Sequence, residues 1–168
     1  MSDETQALAR AVRHEANNLF AALSGTIDIL QRVAADERNC ARTQRMREAT
    51  DRLEALFKGY LSLAAPPVQD GGTDARQVLT LLHPLLVLLL GPGRQVEIEA
   101  PPRLRPLAMP VAELQATILR LTREAAPAAP PQGGLRVVME AAPGGVALRV
   151  QPMPEGAAPA PVFLPAAG

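Results

Sequence analysis

The sequence predicts an α+β chain: an N-terminal antiparallel helical hairpin that forms a dimeric four-helix bundle, then a small α/β sandwich. Three observations predict it. Residues 1–64 contain no Pro and only two Gly, and their apolar side chains recur at alternating steps of three and four. Residues 65–73, APPVQDGGT, gather Pro and Gly into a break. Residues 74–168 hold all of the 17 Pro except the two in that break, with short mixed segments between them. The organisation that follows is a hairpin domain over 1–64, a linker over 65–73 and a second domain over 74–168.

The first helix carries Val12, Ala16, Leu19, Leu23, Thr26, Leu30 and Val33, spaced 4, 3, 4, 3, 4, 3. That is a heptad seam, and Phe20 and Ile27 widen it beyond what one partner helix covers. The second helix repeats the pattern with Met46, Ala49, Leu53, Leu56, Tyr60 and Leu63. The short polar stretch Ala35–Asn39 between them folds the helices back on each other. A hairpin of this kind buries one face, and the broad stripes predict pairing with a second copy.

In the second domain, Asp74 is placed to cap a helix that runs to about Leu90, where Gly91-Pro92-Gly93 stops it. Gln95–Ala100 alternates as a short strand, and Val111–Ala125 forms a helix with Leu114, Ile118 and Leu121 on one face. Gly134–Ala141 and Val146–Val150 read as strands joined by Pro143-Gly144-Gly145. The Ala/Pro-rich tail after Pro152 is expected to be irregular.

Composition narrows the function. Apolar residues are 48% of the chain and aromatics only 2%, so the core is aliphatic. Seventeen Lys+Arg balance 17 Asp+Glu, and no basic stripe stands out, which argues against nucleic acid as a partner. The longest apolar run, Pro84–Leu90, is too short to span a bilayer, and the opening MSDETQALARAVRHEANN is too polar for a signal peptide. Cys40 is the single cysteine, which excludes an intrachain disulfide. A cytoplasmic protein is expected.

The sharpest chemical signal is His14-Glu15-Ala16-Asn17-Asn18-Leu19. With Val12 at heptad position d and Ala16 at a, His14 falls at f, the position furthest from the seam. Asn17 and Asn18 follow at three and four residues, on the same side of the helix, with Glu15 adjacent. An exposed imidazole is nucleophilic, its neutral form is abundant near pH 7, and the N–P bond it forms is labile. A neighbouring carboxylate suits proton uptake and fixing of the ring tautomer. A single histidine on a helix surface is ordinarily just a solvated residue, and the paired Asn residues, disfavoured inside a helix, are what set this one apart. The other histidine, His83, reads as structural.

The stretch HEANNLFAALSGTIDIL resembles the phosphoacceptor helix of bacterial sensor histidine kinases, in which H-E-x-x-N opens an apolar run. The resemblance implies that His14 is phosphorylated, that Glu15 acts as base and that Asn18 assists removal of phosphate by water. Further on, Leu107–Pro110 followed by Glu113–Leu121 resembles the strand and helix that open the kinase ATP-binding domain, and Gln132-Gly133-Gly134-Leu135-Arg136-Val137 its glycine-rich strand entry. Where that family carries Asn residues for magnesium and phosphates, this chain has Arg120 and Glu124. Where it carries D-x-G-x-G, this chain has Val150-Gln151-Pro152-Met153-Pro154, and no glycine-rich lid follows. The second domain is therefore expected to be a degenerate kinase-ATPase-like sandwich that does not bind ATP, since a carboxylate at Glu124 opposes triphosphate charge.

The combination is similar to stand-alone histidine phosphotransferases of the alphaproteobacterial cell-cycle type. It implies a phosphorelay protein that carries phosphate on His14 between receiver-domain aspartates. Its implied partners are a second copy of the chain, response-regulator receiver domains and a hybrid histidine kinase. No cofactor is expected on this chain, with magnesium supplied by the receiver. Arg10, one turn before His14, and Lys58, on the antiparallel helix near its level, are candidate cations for the transferring group. The alternative is a non-catalytic adaptor or inhibitor that sequesters a kinase or response regulator. An active kinase and a receiver phosphatase acting through Asn18 are further alternatives.

Overall fold

The computed structural model describes residues 3–34, 36–64, 71–154 and 159–167, and for residues 3–10 the backbone alone. The chain divides into two compact units, Met1–Ala65 and Pro66–Gly168.

The first unit consists of α1 (Asp3–Val33) and α2 (Glu37–Ala64). The turn is shorter than the expected polar stretch, because Glu37, Arg38 and Asn39 already belong to α2. Asp36 explains this. Its carboxylate accepts from the Asn39 backbone N–H at 2.7 Å and from Asn39 Nδ2 at 2.9 Å. An acidic cap of this kind satisfies a first-turn donor that has no partner within the helix.

The helices do not meet along the heptad seam. Toward α2, helix α1 turns Phe20, Ser24, Ile27 and Gln31, of which Ile27 is fully buried. Helix α2 answers with Thr43, Arg47, Thr50, Glu54, Phe57 and Leu61, all buried or half-buried. The Phe20 and Phe57 rings pack edge-on with centroids 6.0 Å apart. Arg47 donates to the Ser24 carbonyl at 3.3 Å and pairs with the Asp28 carboxylate. The buried Thr43 and Thr50 hydroxyls donate to carbonyls one turn back, at 3.0 and 2.8 Å, so neither is left unsatisfied. Phe20 and Ile27, expected to widen the seam, thus belong to the hairpin contact instead.

The seam itself lies in solvent. Leu19 is 61% exposed, Leu53 55% and Tyr60 63%, and Val12, Leu23, Leu30, Val33 and Met46 are exposed with them. At about 100° per residue, the seam on each helix lies roughly 90 to 110° around from the hairpin contact, displaced in the same rotational sense. Because the helices run antiparallel, equal displacements put both seams on one side of the hairpin, as a single apolar face.

In the second unit, the Thr73 backbone exchanges 2.9 Å hydrogen bonds with Leu107. Helix α3 (Ala75–Leu90) is capped by the Asp74 carboxylate, which accepts from the Arg76 and Gln77 N–H groups at 2.9 and 3.1 Å. Then follow β1 (Gln95–Glu99), α4 (Val111–Ala125), β2 (Gly134–Ala142), β3 (Gly145–Met153) and β4 (Val162–Pro165). The strands form one sheet in the order β1-β2-β3-β4, with β1 parallel to β2 and the other pairs antiparallel.

Alternation puts Leu135, Val137 and Met139 of β2 on one sheet face, and the register sets Leu148 and Val150 of β3 beside them. Leu79, Leu82 and Leu86 of α3 and Leu114 and Ile118 of α4 are fully buried in the same two-layer core. The other sheet face carries cross-strand ion pairs, Arg136 with Glu97 and Arg149 with Glu140. His83 Nε2 donates to the Val96 carbonyl at 2.9 Å, tying α3 to the edge strand β1, a structural role.

Two expectations are corrected. Among the described residues, the tail after Pro152 is not wholly irregular: β3 runs on to Met153, and β4 pairs with it through Val146↔Leu164 and Leu148↔Val162. Leu164 is 2% exposed, so burial against the sheet outweighs the Pro-rich context. Leu107–Pro110 is not a strand. Leu107 forms only single bridges, to Thr73 and Ala166, because the prolines that flank the segment remove backbone donors.

Candidate functional site

Helix α1 presents His14, Glu15, Asn17 and Asn18, and all four are exposed. His14 lies roughly 120° around the helix from the hairpin contact and roughly 150° from the middle of the apolar seam. Its ring is thus turned away from both stripes. Asn18 shares its face one turn on, as the i, i+4 spacing dictates. Among the described residues, none forms a hydrogen bond or ion pair with the side chain of His14, Asn17 or Asn18.

Glu15 sits elsewhere. It borders a cleft of about 400 Å³ on the apolar face, together with Val12, Leu19, Phe20, Leu23 and Phe57. The expected hydrogen bond from the second ring N–H of His14 to the Glu15 carboxylate is not formed here. Adjacent helical residues diverge by about 100°, which sends the two side chains apart.

The supporting cations fare differently. The side chain of Arg10 lies outside the described residues. The contacts Arg13–Leu61, Phe20–Phe57 and Arg47–Asp28 set the helix register, and they put His14 level with about Tyr60. Lys58 is close to that level, but its ammonium pairs with Glu54 on its own helix, 2.5 Å away. The i, i+4 spacing made that partner legible.

Sequence reasoning passed over Arg13. It is half-buried, and its guanidinium donates to the Leu61 carbonyl at 3.5 Å. The available signal was its spacing of seven from Phe20 and fourteen from Ile27, which puts all three on the hairpin stripe. Cys40 is exposed at the turn, its Sγ 4.0 Å from the Ala34 carbonyl.

In the second unit, the positions that would hold magnesium and phosphates in the family resembled above are occupied by an ion pair. Arg120 Nη1 donates to both Glu124 carboxylate oxygens, at 3.0 and 3.2 Å, on the exposed side of α4. The Glu124 carboxylate, expected to oppose triphosphate charge, is paired with Arg120. Helix α4 carries no Asn. Among the described residues, no cluster of three His, Cys, Asp or Glu could hold a metal ion, and no helix is long and apolar enough to cross a membrane.

No family model matches the sequence, and no curated protein does. One solved structure with a similar backbone is that of full-length ShkA in complex with AMPPNP. It is 20% identical, aligns over 86% of this chain and 33% of its own, and gives a TM-score of 0.44. This chain therefore spans about a third of that protein. At that level the likeness assigns neither a family nor an activity.

Proposed function

We propose that this chain is a histidine phosphotransferase of a two-component phosphorelay, carrying phosphate on His14 between receiver-domain aspartates without binding ATP. One observation carries the reading. The His14 imidazole is exposed on the side of α1 turned away from both the hairpin contact and the apolar seam. A partner that covers the seam leaves the ring open to a docking domain.

In each transfer a ring nitrogen bonds to the phosphorus of an aspartyl phosphate, the acyl P–O bond breaks and the carboxylate leaves. Delivery runs the same exchange in reverse on a second aspartate. In this reading the receiver domains bring the magnesium, and this chain supplies the nucleophile. Asn18 orients a phosphoryl oxygen or a water from the same face. Glu15 reaches the ring only after a change of rotamer.

The proposed partner on the apolar face is a second copy. Among the described residues, nine of the twelve exposed large hydrophobic side chains belong to the hairpin, whose fully described part buries only Ile27 and Leu61 among its large apolar residues. Apolar patches of this kind on small domains mark interaction surfaces. Two stripes near a right angle on each helix are what a four-helix bundle needs, since each helix there has two neighbours.

The test is a transfer assay. Each receiver domain of the source organism is phosphorylated with labelled acetyl phosphate and mixed with the chain, and label is sought on His14. Transfer from at least one receiver, lost in His14→Ala, is the expected result. A chain that binds receivers equally well with and without His14, and takes no label, is the adaptor or inhibitor instead.

A further inference from the structure

The cleft that Glu15 borders has the outline of a packing hole. Four of its lining residues, Val12, Glu15, Ala16 and Leu19, follow the spacing i, i+3, i+4, i+7. Four residues so spaced frame the hole that takes one side chain of a facing helix in coiled-coil packing. Ala16 is the smallest of the four and leaves the hole open toward Phe20 and Phe57. Among the described residues that line the cleft, only Glu15 has a polar side chain. A side chain that fills the hole therefore covers apolar surface and meets a carboxylate.

Tyr60 has the matching chemistry and the matching level. It is the largest side chain of the α2 seam, 63% exposed, and it carries the only hydroxyl there. A tyrosine ring that becomes buried needs an acceptor for its O–H. The contacts Phe20–Phe57, Arg13–Leu61 and Arg47–Asp28 fix the hairpin register. At about 1.5 Å per residue, they put Tyr60 level with the centre of the hole to within about 2 Å. Tyr60 of the same chain does not line the cleft.

A second hairpin, turned about a two-fold axis parallel to the helices, sets its α2 against this α1 and keeps every residue at its own level. The remaining apolar layers then match as well: Val12 with Leu63, Leu19 with Leu56, Leu23 with Leu53, and Leu30 with Met46. An axis across the helices would set α1 against α1 instead. That arrangement offers Glu15 no donor from the facing seam, whose one hydroxyl, on Thr26, is donated to the Ala22 carbonyl at 2.9 Å. Covering a carboxylate without a donor is costly.

We propose that Tyr60 of a second copy fills the hole framed by Val12, Glu15, Ala16 and Leu19 and donates its hydroxyl to the Glu15 carboxylate. Each copy then holds the carboxylate that neighbours the other's phosphoacceptor, and Tyr60 is a positioning residue that acts through Glu15. The inference rests on the reading of the apolar face as the dimer face.

The experiment uses the full chain with Cys40→Ser, so that only introduced thiols react. Chains carrying Ala16→Cys and Tyr60→Cys are mixed, mildly oxidised and separated on a non-reducing gel, and dimer bands are identified by mass. A disulfide needs Cα atoms within about 7 Å. The mixed disulfide is expected, with none from Ala16→Cys alone. In sedimentation, Tyr60→Phe is expected to raise the dimer dissociation constant roughly tenfold or more, since two charged acceptors lose their donors. In a Glu15→Ala background the same change has little effect. Equal effects in the two backgrounds overturn the bond to Glu15. A dimer that forms no mixed disulfide, or that crosslinks Ala16→Cys to itself instead, overturns this inference and leaves the dimer reading standing. A wild-type chain that stays monomeric at high concentration overturns both.

Discussion

Replacing His14 by Ala removes the one exposed imidazole of the hairpin and disturbs no described contact. Label transfer should therefore fall to background, while the melting temperature moves by less than about 0.5 kcal/mol equivalent. A transfer-competent His14→Ala protein would move the phosphoacceptor elsewhere. Gly133 and Gly134 make the opposite case, a residue with a purely structural demand. A β-carbon on Gly133 would lie 2.1 Å from the Met153 carbonyl oxygen, and one on Gly134 2.2 Å from that of Gln95. Both obstacles are backbone, so neither yields easily. Gly134→Ala should cost about 2 kcal/mol or more in urea unfolding, with no effect on His14 chemistry apart from stability. The pair that resembled a nucleotide-domain motif is thus explained by strand packing alone.

At the scale of elements, the hairpin and the sandwich are built on different terms. The α2 side of the hairpin contact is mostly polar, with Thr43, Arg47, Thr50 and Glu54 before Phe57 and Leu61. The outward seam is almost wholly apolar. Leu19→Asp together with Leu53→Asp should convert a dimer to monomer in sedimentation, because two charges on one apolar face cannot be buried unpaired. If the double variant sediments like wild type, the seam is not the dimer face. In the sandwich, Asp74→Ala removes a cap with two backbone partners and should cost about 1 kcal/mol. Leu164→Ala, at the edge strand β4, should cost about 2 to 4 kcal/mol through the cavity it leaves. A smaller loss would mean that β4 is dispensable to the sheet.

For the whole molecule, the prediction concerns cooperativity. If most apolar surface of the hairpin is covered only by a second copy, its melting temperature must rise with protein concentration, while the sandwich melts at a fixed temperature. Differential scanning calorimetry over a hundredfold dilution tests this, and a hairpin transition that ignores concentration would exclude the dimer.

Local chemistry was enough to read much of the chain before any coordinate. The Asp74 cap, the helix α3 ending before Gly91, the helix α4 from Val111 to Ala125 and the β2–β3 hairpin each rest on neighbours within a few residues, where propensity, capping and turn preferences act. The exposure of His14 followed from heptad position in the same way. Contacts between residues far apart in the chain settled the rest. Periodicity shows that α1 has two stripes, but which of them meets α2 depends on Arg47 reaching Asp28 and Phe57 reaching Phe20. The same holds for β4, whose four residues become a strand only because β3 lies beside them, and for Arg13, whose contact with the Leu61 carbonyl exists only once α2 has folded back. A sequence pattern records the faces an element possesses; pairing across distance decides what each face touches, because that choice is a competition among surfaces of the folded chain.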